Sequence, residues 1–236
     1  MVNRFDTTRW SVVVSAGGEG DDARDALAAL CATYHPPVLA YVRARVGERE
    51  DAEDLTQAFF AHLLERRLAA RADQGRGRFR SYLLTSLKHF LASEHERASA
   101  LRRGGGALIL PGSALDSIAA TTDGPEEVFE REWARTVLRE ALRRLGKEAD
   151  AAGRAGLFTH LRPFLVEAPE EGEYDQVAEA VGLRRNTVAV AVHRMRERLR
   201  ELVREVVADT AEDGEEIETE LRRMRRVLKP EPLAGP

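Results

Sequence analysis

Apolar residues recur every three or four positions along nearly the whole chain, and no alternating run is long enough to make a strand. This pattern predicts an all-α protein. Asp6-Thr7-Thr8 can cap a short helix carrying Trp10 and Val14. After the Gly17-Gly18-Glu19-Gly20 break, Asp21 or Asp22 can open a helix with Ala26, Leu27, Leu30 and Tyr34. Pro36-Pro37 should stop it and begin another, with Val38, Tyr41, Val42 and Val46, which Gly47 closes. A third helix places Ala52, Leu55, Phe59, His62 and Leu63 on one stripe, with Asp51, Asp54, Gln57 and Ala61 opposite. A glycine-rich basic loop at 72–78 leads into a long helix from about Phe79 to Leu101, whose apolar set is Tyr82, Leu83, Leu87, Phe90 and Leu91.

The pattern then lapses. Gly104-Gly105-Gly106, Pro111-Gly112 and Asp123-Gly124-Pro125 punctuate a stretch of about 20 residues, too long for a structureless loop inside one compact domain. We read residues 104–124 as a linker between two helical domains, 1–103 and 125–208, followed by a charged extension over 209–236. Pro125 can open a helix with the stripe Phe129, Trp133, Val137, Leu138, Leu142 and Leu145. A further helix is expected from about Asp150 to Val166, interrupted or kinked at Pro163, then an acidic turn over Pro169–Glu173. In the extension, Ile217, Leu221, Met224 and Leu228 give a thin apolar side to a helix over Glu215–Leu228, so this helix should lean on something else.

Composition narrows the class. The 236 residues carry a formal net charge of −4, with 43% hydrophobic and 32% charged residues, a globular balance. No run approaches the ~18 apolar residues of a membrane span, and the first residues lack the apolar core of a secretory signal. One cysteine, Cys31, allows neither an internal disulfide nor a cysteine-based zinc site, which fits the cytoplasm. Of the 36 basic residues only Lys88, Lys147 and Lys229 are lysines. Arginine abundance alone carries no functional message, but its placement does. Between Glu19 and Glu65 ten acidic residues face four arginines; between Arg71 and Arg103 eight basic residues face three acidic ones. Arg184–Arg204 holds seven arginines against Glu197 and Glu201, and an acidic stretch over Glu205–Glu220 follows. Two basic blocks in an acidic chain suggest two surfaces that meet a polyanion.

The second block has a recognisable grammar. Val177, Ala178 and Val181 form a short apolar face, Gly182 supplies a left-handed turn, and Leu183 is expected to plug the angle between helices. A longer helix then begins near Arg185 or Asn186, with Val188, Val192, Met195, Leu199 and Leu202 on its inner side. This is a helix-turn-helix pattern. Its second helix would place Arg184, Arg185, Asn186, Thr187 and Arg194 toward base edges and phosphates in a major groove. A plain αα-hairpin with solvated arginines fits the same spacing.

Tyr174–Leu202 resembles region 4.2 of the extracytoplasmic-function (ECF) sigma factors, through Val177, Ala178, Val181, Gly182, Thr187, Val188, His193, Arg194, Arg196, Arg198, Leu199 and Arg200. The stretch DAEDLTQAFF (residues 51–60) resembles the acidic part of region 2, and GRFRSYLLTSLKHFLASEHERA the promoter-melting helix after it. The opening TTRWSVV and the tail resemble a sigma-24-like subgroup with a C-terminal extension, so the likeness spans nearly the whole chain. The resemblance implies a sigma factor that binds core RNA polymerase and directs initiation at promoters with minus-ten and minus-thirty-five elements. Asp51, Glu53, Asp54 and Gln57 would dock on the β′ clamp helices, and the second domain would meet the β flap. Arg76, Arg78, Arg80, Lys88, Arg97, Arg102 and Arg103 would hold the minus-ten strand. Phe79 or Tyr82 would stack there, with His89 facing the bases. His193 and Arg196 join the minus-thirty-five set. The chain departs from the family at His89 and Ser93, where Asn and Asp are common, and at Ala189-Val190-Ala191, where a polar run is usual.

Other readings are weaker. His89 and His95 flank Glu94 but lie six apart, on different helix faces, unlike a zinc H-E-x-x-H pair. The glycines at 104–106 lack a following Lys-Ser/Thr. Neither an enzyme, a metal nor a cofactor is expected. A stand-alone helix-turn-helix regulator with a sensor or dimerisation domain at 1–103 is the serious alternative, though a sensor has no need of the basic helix Phe79–Arg103. An anti-sigma factor or a regulatory kinase is the partner through which an input could arrive. The acidic tail fits two readings: a solvated helix or frayed terminus, or a segment that packs on one of the two domains and restrains promoter binding.

Overall fold

The computed structural model describes residues 21–47, 49–65, 79–104, 124–208 and 214–228. Among these residues every regular element is helical: α1 Asp21–Val46, α2 Arg49–Glu65, α3 Phe79–Gly104, α4 Pro125–Ala151, α5 Ala155–Leu161, α6 Glu173–Val181, α7 Arg185–Ala208 and α8 Gly214–Leu228. A 3-10 turn over Pro163–Leu165 stands between α5 and α6. The all-α expectation holds. The expected helix around Trp10, the loop at 72–78 and residues 105–123 of the expected linker lie outside the described residues. The chain divides into two compact units, one of Met1–Thr136 with Ala208–Pro236, the other of Val137–Val207.

In the first unit α1 packs along α2, and α2 on α3. Val38 and Val42 of α1, Ala52 and Phe59 of α2, and Leu83 and Leu87 of α3 are all buried. Phe59 meets Phe60 and Phe90, each ring pair with centroids 5.6 Å apart. Pro36 and Pro37, expected to divide two helices, instead lie inside α1. Two missing N–H groups cost helix stability, but Tyr34 on one side of the pair and Val38, Tyr41 and Val42 on the other are buried. Packing on both flanks overrides the local break. Gly47, at φ 81, closes α1 as its sequence position suggests, with its N–H donating to the Arg43 carbonyl at 3.0 Å. The first residues of α4 also belong here, and bury Phe129 and Trp133. α8 buries Glu220, Leu221 and Met224.

In the second unit Val137, Ala141, Leu145 and Ala149 repeat every fourth residue on α4, all buried. Leu199, Leu202, Val206 and Val207 are the buried positions of the later part of α7. The single helix expected over 150–166 does not form. α4 runs on to Ala151, Gly153 turns left-handed at φ 68, and α5 then covers only Ala155–Leu161. Pro163 has no N–H to extend α5 and starts the 3-10 turn instead.

On α4 the Glu140 carboxylate takes Arg143 at 2.6 Å and Arg144 at 3.1 Å. The hydrogen bonds from Arg143, then Arg144, hold its carboxyl at about 2, against 4.5 for an ordinary glutamate. A depressed carboxyl pKa stabilises the fold above the unfolded value and loses that contribution as pH falls through the folded one. The wild-type melting temperature should therefore decline between about pH 5 and pH 2 more steeply than that of Glu140→Gln, as followed by circular dichroism.

Candidate functional site

The two helices expected on either side of Gly182 form within the second unit, as α6 and α7. α6 ends at Gly182, in the left-handed region at φ 67 and ψ 30, with its N–H directed to the Ala178 and Glu179 carbonyls. Leu183 N–H donates to the Ala178 carbonyl at 2.9 Å, but its side chain is 38% exposed. Leu183 is thus a backbone cap, not the expected plug. The angle between α6 and α7 is filled by Ala178, Val188 and Val192 against Leu161 and Phe164, with Val177, Val181 and Tyr174 around them. Phe164 meets the Tyr174 ring edge-on at 5.4 Å.

This packing sorts the α7 arginines into two kinds. Arg184, Arg185, Asn186, Thr187, His193 and Arg194 are all exposed, along the turn and the outer face of α7. Arg185 reaches Asp175 at 3.4 Å and His193 reaches Glu197 at 3.3 Å, both between exposed side chains, where ion pairs are weak. Val190 is half exposed one turn after Asn186. Arg196 belongs to the other kind. Its Nε donates to the Phe164 carbonyl at 2.7 Å and its terminal nitrogen to the Glu167 carbonyl at 2.8 Å. Expected on the DNA-facing set, Arg196 instead holds the end of the 3-10 turn. Arg198 pairs with Glu148 at 2.7 Å, Glu201 at 2.8 Å and Glu205 at 3.0 Å, so its pKa rises above the ordinary arginine value. Hydrogen bonding to Arg198 lowers that of Glu148.

In the first unit Asp51, Glu53, Asp54 and Gln57 stand exposed on α2, as their spacing predicts. Thr56, on the opposite side, is buried and donates to the Ala52 carbonyl at 2.7 Å. Glu53 carries Arg43 at 2.9 Å. Asp51 and Asp54 line a cleft of about 880 Å³ whose wall includes Leu55, Leu91, Arg45, Lys88 and His95. Lys88, expected to meet DNA, pairs with Glu126 at 2.7 Å across half-exposed side chains. That hydrogen bond raises the Lys88 pKa and lowers that of Glu126. Glu126 had no signal in the sequence beyond its place at a helix start.

Along α3, His89 and Arg97 are exposed and Tyr82 is half-buried. Arg97 pairs with Glu94 at 2.6 Å, one turn back. Arg76 and Arg78, with the side chains of Phe79, Arg102 and Arg103, lie outside the described residues. Arg80 is the main correction. Expected to grip a DNA strand, it is 5% exposed, with Glu130 at 3.0 Å and Glu220 at 2.6 Å. Its guanidinium carbon lies 4.0 Å from the centre of the Trp133 ring, and Arg223 completes the cluster at 3.1 Å from Glu130. Desolvation lowers the Arg80 pKa while Glu130 and Glu220 oppose the shift.

Among the described residues no group of three or more His, Cys, Asp or Glu could hold a metal, and no helix is long and apolar enough to cross a membrane. Residues 30–100, from the middle of α1 to the last turns of α3, match the family model for sigma-70 region 2. No curated protein and no solved structure matches the chain. The match covers under a third of the chain and supports a sigma-factor role in transcription initiation.

A Cβ added at Gly182 would meet no atom within 4 Å. Gly182→Ala should then cost only the left-handed backbone penalty, about 1–2 kcal/mol. A thermal shift of a few degrees with an unchanged helical spectrum is the expected outcome; a larger loss would mean the turn also needs the space.

Proposed function

We propose that the chain is an ECF-type sigma factor that recruits core RNA polymerase in the cytoplasm to promoters read at both minus-ten and minus-thirty-five elements. The region 2 match over residues 30–100 is the observation that carries this reading. The surfaces around it are compatible in charge and exposure. Asp51, Glu53, Asp54 and Gln57 present a polar, acidic face to solvent on α2, suited to the basic clamp helices of β′. His89 and Arg97 on α3, with the basic residues of 71–78 and Arg102-Arg103, would hold the non-template strand of the minus-ten element. The exposed set Arg184, Arg185, Asn186, Thr187, His193 and Arg194 would read the minus-thirty-five element, and the surrounding domain would dock on the β flap. The two units, Met1–Thr136 with Ala208–Pro236 and Val137–Val207, would each bind weakly and gain avidity at correctly spaced elements. An anti-sigma factor or a kinase would regulate such a protein.

The discriminating experiment is a mobility shift on a labelled promoter fragment, with and without core enzyme. Specific binding only in the presence of core is expected. Specific binding by the chain alone would identify a stand-alone helix-turn-helix regulator instead.

Asp51→Arg with Asp54→Arg should weaken the affinity for core enzyme by about tenfold or more, equivalent to roughly 1.4 kcal/mol, and leave the circular dichroism spectrum intact. Unchanged core affinity would remove α2 from the docking surface. Arg194→Ala should lower promoter affinity and reduce the slope of log affinity against log salt by about 0.9, the loss of one phosphate contact on duplex DNA. An unaltered slope with normal transcription would place Arg194 outside the interface.

A further inference from the structure

The buried cluster in the first unit joins elements remote in sequence. Arg80 lies in the first turn of α3, Glu130 near the start of α4, and Glu220 and Arg223 on α8. α8 therefore covers a cation that belongs to the basic segment 71–103. The contact is poorly explained as a source of stability alone. Burial strips water from both partners, and apolar residues of similar size would hold two helices as well or better. α8 buries only Leu221 and Met224 among its apolar residues, while Arg222, Arg225 and Arg226 are exposed. Such a helix has a small hydrophobic anchor and remains well solvated when released. It is part of the same chain as Arg80 and of the same compact unit, so a competitor has to displace an intramolecular partner.

A DNA phosphate is that kind of competitor, because a guanidinium binds carboxylate and phosphate through the same charge-assisted geometry. We propose that α8 is a built-in competitor of the promoter strand: Glu220 occupies Arg80 in the free chain, and a phosphate of the unpaired strand takes its place when α8 leaves. The proposal rests on the sigma-factor reading, since it needs a single strand to arrive at α3. It gives Glu220 the role of a gate on that surface, with Trp133 as the platform that keeps the guanidinium in place for either anion.

The test uses full-length wild-type chain, Glu220→Gln, Arg80→Ala and the double variant, each with core RNA polymerase. The probe is a promoter fragment, premelted at the minus-ten element, selected from a random library by the wild-type holoenzyme. Glu220→Gln should bind it roughly fivefold more tightly, at the low end of usual coupling between linked sites. Its salt slope should match wild type, since both complexes end with a phosphate on Arg80. Arg80→Ala should flatten the slope by about 0.7, the value of one lost single-strand phosphate contact, and should cancel the affinity gain in the double variant. In wild type, hydrogen exchange of 214–228 should be slow in the free chain and fast in the promoter complex. Equal affinities of wild type and Glu220→Gln, or a slope that Arg80→Ala leaves unchanged, with binding still dependent on core, would overturn the gate and leave the sigma-factor reading standing. Binding that ignores core would overturn both. Should Glu220→Gln fail to fold, the exchange measurement on wild type decides: protection of 214–228 that persists in the promoter complex overturns the gate.

Discussion

A guanidinium withdrawn from water keeps its charge, so whatever covers it has to bring counter-charge or a ring face. Arg80 imposes that demand on the first unit, and helical spacing meets it. Glu130 and Trp133 lie three residues apart on α4, which sets a carboxylate and an indole on one side of the helix. Glu220, Arg223 and Met224 use the same three-and-four spacing on α8. Rotating either helix by one residue would turn its carboxylate about 100° away and leave a buried cation uncompensated. The cluster therefore fixes which faces of α3, α4 and α8 meet, in a way that Leu221, Met224 and Phe129 alone would not.

A second division runs through the arginines. Arg194 and Arg198 stand one turn apart on α7 and differ in sequence by nothing that assigns them different duties. Arg198 sits where Glu148, Glu201 and Glu205 converge, whereas Arg194 stands exposed. Arg196 reaches backwards to two carbonyls near the 3-10 turn, satisfying acceptors that Pro163 and the bend after it leave outside any helix ladder. Each arginine committed in this way firms up the scaffold of the turn and is withdrawn from any phosphate. Resemblance to a family pattern groups these positions together, and packing separates them.

How much of this was legible depended on whether the governing interaction was local. The exposed acidic face of α2, the buried positions of α3 and the glycine turns at Gly47 and Gly182 follow from periodicity and from a φ that glycine readily adopts. The diproline in α1 was misread because the local rule is sound and the neighbours overrule it: Tyr34, Val38 and Val42 are held from outside the helix. Leu183 was misread for the opposite reason, since the small Ala178 lets Val188 and Val192 close the angle without it. Arg80 lay beyond any sequence argument. Its partners are 50 and 140 residues away, and a glutamate on a charged helix carries no mark of the cation it will meet.

The same locality governs how each surface should respond to salt. Arg184 and Arg194 are exposed at the α6–α7 turn and on α7, and any phosphate contacts from such groups would release condensed counterions and weaken steeply with ionic strength. Asp51 and Asp54 line a cleft that also holds Arg45, Lys88 and Glu126, so charges of both signs face the same space. A mixed rim around Leu55 and Leu91 favours a partner that matches its pattern, and owes less to net attraction than a bare acidic face would. Arg80 differs from both, for its 5% exposure leaves little of it to screening by mobile ions. Under the proposed function, salt would tune contacts made by the exposed arginines first and contacts made at the mixed cleft less, while the buried pair yields only to a group that enters the same space and replaces a carboxylate oxygen with its own.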